Sequence, residues 1–134
     1  MARATLSNHA LAEAFFGRFA AAFATFEASG IAALYVTPGV VLRRDGSTVA
    51  LTSEGDVLRY YQAALDHYHH DGCRSCRWSQ LVVAPMGRRC LLATVTWELL
   101  REDLTLLTTW RQSYSLSTLN GDGPRIFATA MHAE

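Results

Sequence analysis

The chain has 134 residues, half of them apolar, and its twelve basic residues, every one Arg, balance twelve acidic ones. This size suits one domain with a real core, and the apolar content excludes disorder. Zero net charge opposes general binding to nucleic acid or an acidic membrane, and no apolar run approaches the roughly 20 residues that cross a bilayer. The first ten residues, MARATLSNHA, lack a leader's apolar stretch, and the odd set Cys73, Cys76 and Cys90 suits free thiols in a cytoplasmic protein.

Leu11, Phe15, Phe19, Phe23 and Phe26 recur every three or four residues and predict an amphipathic helix with a broad aromatic face. That face packs as core, lines a cavity, or does both along its length. Ser29 predicts the cap of a second, shorter helix through Leu34 and Tyr35. Pro38-Gly39 breaks it, Val40 opens a strand, and Asp45-Gly46 predicts a hairpin whose return covers residues 48–51. Ser53 and Asp56 read as a capping box for a third helix, whose buried stripe is Leu58, Tyr61, Leu65 and Tyr68. That helix frays in the polar segment 69–72.

The remainder reads as strands: 77–84, 90–100, 106–119 and 125–132, joined by turns near 85–87, 101–103 and 120–123. Short turns between successive strands predict an antiparallel meander, and helices followed by strands predict an α+β layer fold. Alternation along the long strand puts Trp110, Gln112, Tyr114 and Leu116 on one face; Val95, Trp97 and Leu99 share a face of its neighbour. Both sets are expected to point inward. Thr94, Thr96, Glu98, Thr109, Arg111, Ser113 and Ser115 then face solvent or a partner.

The run AAAFATFEASGIAALYVTPGVV, the run DGSTVALTSEGDVLRYYQAAL and the turn NGDGPRIF carry a resemblance covering roughly residues 9–132. In these stretches and in element order the chain resembles the nuclear-transport-factor-2-like superfamily. Its small bacterial members, ketosteroid isomerase and SnoaL-like polyketide cyclases, are the nearest in pattern. The resemblance implies a curved antiparallel sheet wrapped around three helices from the N-terminal half, with a cone-shaped pocket between them. It also implies a homodimer, packed through the outer sheet face.

Carried over residue by residue, the resemblance places Phe19 where the isomerase has its catalytic Tyr, Arg43 at the general base and Gln112 at the acidic donor. Phe has no hydroxyl, Arg is a poor base and Gln donates a hydrogen bond but no proton. Steroid-type isomerisation is therefore not expected. Among other candidates, Arg43 and Asp45 either form a ligand-orienting pair at the pocket mouth or sit on a solvated hairpin. Gln112 and Tyr114 either bond a polar ligand group or pack as a core pair. Glu98 and His132 are expected on the surface. His67, His69, His70, Cys73 and Cys76 carry zinc-like chemistry, a disulfide, or simply an exposed loop. No phosphate loop, nucleophile elbow or zinc-protease motif occurs, so neither cofactor nor metal is expected.

The expected function is binding of a small, largely apolar or aromatic molecule among Phe19, Phe23, Tyr61, Trp97, Trp110 and Tyr114. Arg43 and Gln112 would supply polar contacts. Catalysis, if present, would be proton transfer on a carbonyl compound of isomerase, cyclase or dehydratase type. The alternative is a non-catalytic dimeric accessory or interaction module whose cavity is filled by its own aromatics.

Overall fold

The computed structural model describes residues 7–119 and 123–133. Three helices, α1 (Asn8–Phe23), α2 (Ser29–Ala32) and α3 (Glu54–His70), accompany six strands. The strands are β1 (Tyr35–Leu42), β2 (Thr48–Leu51), β3 (Ser75–Pro85), β4 (Cys90–Leu100), β5 (Leu106–Ser117) and β6 (Arg125–Met131). They form one sheet in the order β2-β1-β6-β5-β4-β3. The meander from β3 to β6 is antiparallel, whereas β1 runs parallel to β6. Among the described residues no helix is long and apolar enough to cross a membrane.

Ser7 caps α1 by accepting from the Ala10 N–H, and the helix turns Phe15, Phe16, Phe19 and Phe23 fully toward the sheet. Each such ring contributes roughly 1.5–3 kcal/mol by leaving water. The helix stops before Phe26, which takes a positive φ of 55° while Thr25 Oγ1 donates to Ala22 O. Phe26 then packs against Phe23 from the turn rather than from the helix.

The α2 and β1 boundaries depart most from the sequence expectation, while β3 starts at Ser75 and β5 ends at Ser117, each two residues from the expected position. The α2 turn begins at Ser29 but is not capped by it: Ala28 holds that position without a side-chain bond, and the helix ends at Ala32. Tyr35 is already strand, and Pro38-Gly39 lies inside β1 rather than before it. The strand tolerates Pro38, after a cis Thr37–Pro38 peptide, because the pairing with β6 shifts register between Tyr35 and Val40. At such an irregularity the missing Pro N–H leaves no ladder bond unmade.

The hairpin and α3 follow the expected chemistry. Gly46 adopts φ 85°, its N–H donates to Arg43 O, and the Asp45 carboxylate accepts from the Ser47 N–H and hydroxyl. Ser53 caps α3 by accepting from the Asp56 N–H. The Asp56 carboxylate, however, reaches one residue further back, to the Thr52 N–H and hydroxyl, so the box is not reciprocal. In the expected α3 stripe Leu65 is fully buried, Leu58, Tyr61 and Tyr68 are half-buried, and Val57 joins the core. Of the turn expected at 120–123, residues 120–122 lie outside the described residues; Gly123 takes φ 113°.

Candidate functional site

Strand alternation delivers the inner wall. Along β4, Val95, Trp97 and Leu99 are buried, and along β5 so are Trp110, Gln112, Tyr114 and Leu116. The opposite residues are exposed or half-buried, as the expected phase requires. Register fixes the pairs across the sheet: Trp97 opposes Trp110, and Val95 opposes Gln112. Helix α1 adds Phe19 and Phe23, and α3 adds Tyr61.

All of these side chains except Val95 and Leu116 line a cavity of about 60 Å³. Small-molecule pockets usually run from about 300 to 1,000 Å³. The difference is taken up by rings. The Phe19 ring centroid lies 5.3 Å from that of Trp97, 5.9 Å from that of Tyr114 and 6.4 Å from that of Tyr61. Phe16, not singled out from the sequence, meets Tyr114 edge-on at 5.3 Å. Such edge and tilted contacts add stability beyond area burial.

The interior polar groups bond one another. Trp97 Nε1–H donates to the Tyr114 hydroxyl at 2.7 Å. Trp110 Nε1–H donates to Gln112 Oε1 at 2.8 Å, and Gln112 Nε2 donates to Thr129 Oγ1 at 2.7 Å. Thr129 in turn donates to the Ser113 carbonyl. The Tyr35 and Tyr61 hydroxyls share a hydrogen bond. Among the described residues no buried side-chain nitrogen or oxygen lacks a partner. The cavity wall contains no Asp, Glu or His. Burial drives the Tyr35, Tyr61 and Tyr114 hydroxyls above the ordinary phenol range, so they stay protonated and are not bases.

Arg43 is not with the other expected site residues. It is exposed at the cone's mouth, where its guanidinium lies over the Tyr60 ring at 5.7 Å. Nor does it pair with Asp45, whose carboxylate is engaged by Ser47 and held below the usual range by those bonds. Two mouth residues were missed in the sequence: Arg44, which lies over the Trp110 ring at 5.7 Å, and Tyr60. Tyr68, placed in the buried stripe of α3, also belongs to the site: it stacks on Trp110 with centroids 5.9 Å apart and planes 19° from parallel. Its position seven residues after Tyr61 was the available signal, since two helical turns return to one face. For Arg44 alternation pointed the other way. Open grooves of about 410 and 620 Å³ run along this mouth and share Arg43, Tyr60, His67 and Tyr68.

The remaining candidates lie elsewhere. Glu98 pairs with Arg77 on the outer face, and the exposed His132 bonds Ser113 there. His67 faces Asp71 at 3.2 Å, His69 meets the Phe26 ring edge-on, and Cys73 Sγ donates to Ser75 O. Cys73 and Cys76 are free thiols, and burial pushes Cys76 up to about 12.

The comparisons agree with this architecture. The family model described as NTF2-like protein (DUF6841) matches residues 8–134. The chain belongs to this NTF2-like family. No curated protein matches it. Among solved structures it is similar to a protein of unknown function with a cystatin-like fold from Nostoc punctiforme PCC 73102. That match has TM-score 0.76 and 13% identity, and covers 98% of this chain and 96% of the other. Aln2 from a Streptomyces species is as similar, with TM-score 0.76, 14% identity and coverage of 98% and 94%. An NTF2-like protein with a cystatin-like fold from Novosphingobium aromaticivorans gives TM-score 0.73 and 12% identity, covering 94% and 81%. At such identities the likeness establishes the fold alone.

Proposed function

We propose that the protein is a non-catalytic, homodimeric accessory or interaction module whose cone serves as its hydrophobic core. One observation carries this reading: the interior holds only about 60 Å³, and its buried polar side chains already bond each other. An acid–base enzyme needs a titratable group within reach of the substrate's proton. The cavity wall offers Tyr hydroxyls held protonated by burial, and Gln112, which carries no transferable proton.

The second copy is assigned to the outer sheet face. Val40, Leu42 and Phe127, on the adjoining strands β1 and β6, are 40%, 39% and 38% exposed. Clustered apolar side chains on a sheet face favour cover by a partner. Sedimentation of the wild type and of Phe127→Glu tests this part: dimer and monomer respectively are expected, and a wild-type monomer contradicts it. For the filled cone, the test is a thermal-shift panel of neutral aromatic and polyketide-like ketones. No compound should raise the melting temperature; a saturable rise sinks the reading.

A second reading is a binder of a small apolar molecule. It is favoured by the Tyr68–Trp110 stack, which lines both the inner cavity and the open groove of about 410 Å³. Rotation of Tyr68 away from Trp110 would join the two spaces. Proton-transfer chemistry would still lack its base.

A further inference from the structure

We propose that the mouth of the cone binds a planar aromatic carboxylate. Arg43 and Arg44 follow β1 directly and would point to opposite faces if the strand continued. The turn ends that alternation, with Gly46 N–H donating to Arg43 O at 3.0 Å and Arg43 N–H to Ser47 O at 2.9 Å. Both guanidinium groups then reach one groove of about 410 Å³, Arg43 over Tyr60 and Arg44 over Trp110. That volume falls within the usual range for small-ligand sites.

Charge favours an anion there. Among the described residues neither guanidinium forms an ion pair. The one carboxylate lining this groove, Asp45, is engaged by Ser47 at 2.9 and 2.6 Å. Asp56, in the adjoining groove, is held by Arg59 and Thr52, and His67 faces Asp71. Two cations therefore stand against a single satisfied acid in a chain of zero net charge. A guanidinium fork matches a carboxylate through two parallel hydrogen bonds. Tyr60, Tyr68 and Trp110 line the same groove and supply aromatic surface for the ligand's ring to pack against. An aliphatic acid would lose the stacking, and a neutral aromatic would lose the charge-assisted bonds.

This site is independent of the filled cone, because a packed interior leaves the mouth open. The test is calorimetric titration of the full chain with 2-naphthoate at low and moderate salt. We expect saturable binding that weakens with salt, and at least about tenfold weaker binding of 2-naphthamide and cyclohexanecarboxylate. Arg43→Gln/Arg44→Gln should lose at least about tenfold, whereas Arg88→Gln/Arg89→Gln should bind as the wild type does. The second pair is exposed on the β3–β4 turn and removes the same charge. Absence of naphthoate binding, equal binding of the amide, or equal loss in the Arg88/Arg89 variant overturns the proposal. If the Arg43/Arg44 variant fails to fold, the acid-against-amide comparison on the wild type decides alone.

Discussion

Tyr68 of α3 and Trp110 of β5 stack with centroids 5.9 Å apart and planes 19° from parallel, and both line the inner cavity and the outer groove. Behind them the space is almost filled by rings; in front of them lies a groove edged by two guanidinium groups. The stack thus divides an interior that stabilises the fold from an exterior that can recognise a ligand.

Removing one half of the stack should expose the interior. Tyr68→Ala is expected to cost about 2 kcal/mol, less than a fully buried aromatic, because Tyr68 is only half-buried. It should also create affinity for benzene-sized apolar probes that the wild type lacks. Denaturant unfolding and probe titration check both halves.

The interior polar chain should behave as a unit. Gln112→Leu alone leaves the buried Trp110 N–H without its acceptor, a loss of about 1–3 kcal/mol. In the Trp110→Phe background the same change should cost clearly less, since the stranded donor is gone. A double-mutant cycle by urea unfolding gives the coupling; strict additivity would show that the chain is not a network.

High pH should unfold the protein through its own core. Burial raises Cys73, Tyr35, Tyr61 and Tyr114, and pushes Cys76 up to about 12. In the unfolded chain these groups ionise at their ordinary values, so above that range the unfolded state binds fewer protons and stability falls. These groups leave stability unchanged from neutral pH to about pH 8.5 and lower it as pH rises through 9 to 12. Unfolding free energy against pH gives the sign directly, and a rise across this window would refute the burial assignment.

Asp56 has the opposite sign. Its bonds to Thr52, and then its contact with Arg59, hold the carboxyl at about 2. The contribution is present above the unfolded carboxylate value and is lost as pH falls through about 2. Carboxyl chemical shifts should place the Asp56 midpoint clearly below the ordinary Asp value, and Asp56→Asn should abolish the transition.

How far the sequence was legible follows from which signals are local. The inner faces of β4 and β5 were readable because the residues from Thr109 to Ser117 alternate cleanly, so only one phase buries Trp110, Gln112 and Tyr114 together. The start of β1 was not, because Pro38 reads as a breaker and only the pairing with the distant β6 makes it tolerable. The Asp45-Gly46 turn was legible enough to put Arg43 at the mouth, but not that the Asp45 carboxylate bonds Ser47 in place of Arg43. Filling of the cone was invisible. Sequence lists aromatic walls, but whether Phe19, Trp97 and Tyr114 enclose a space or occupy it depends on ring distances set by tertiary packing.

The most direct test is a crystal structure of the wild type soaked in saturating indole. The filled-cone account predicts no indole among Phe19, Trp97 and Tyr114, with the Trp97–Tyr114 hydrogen bond intact. An indole ring seated between Phe19 and Trp97 behind an unaltered Tyr68 would contradict it.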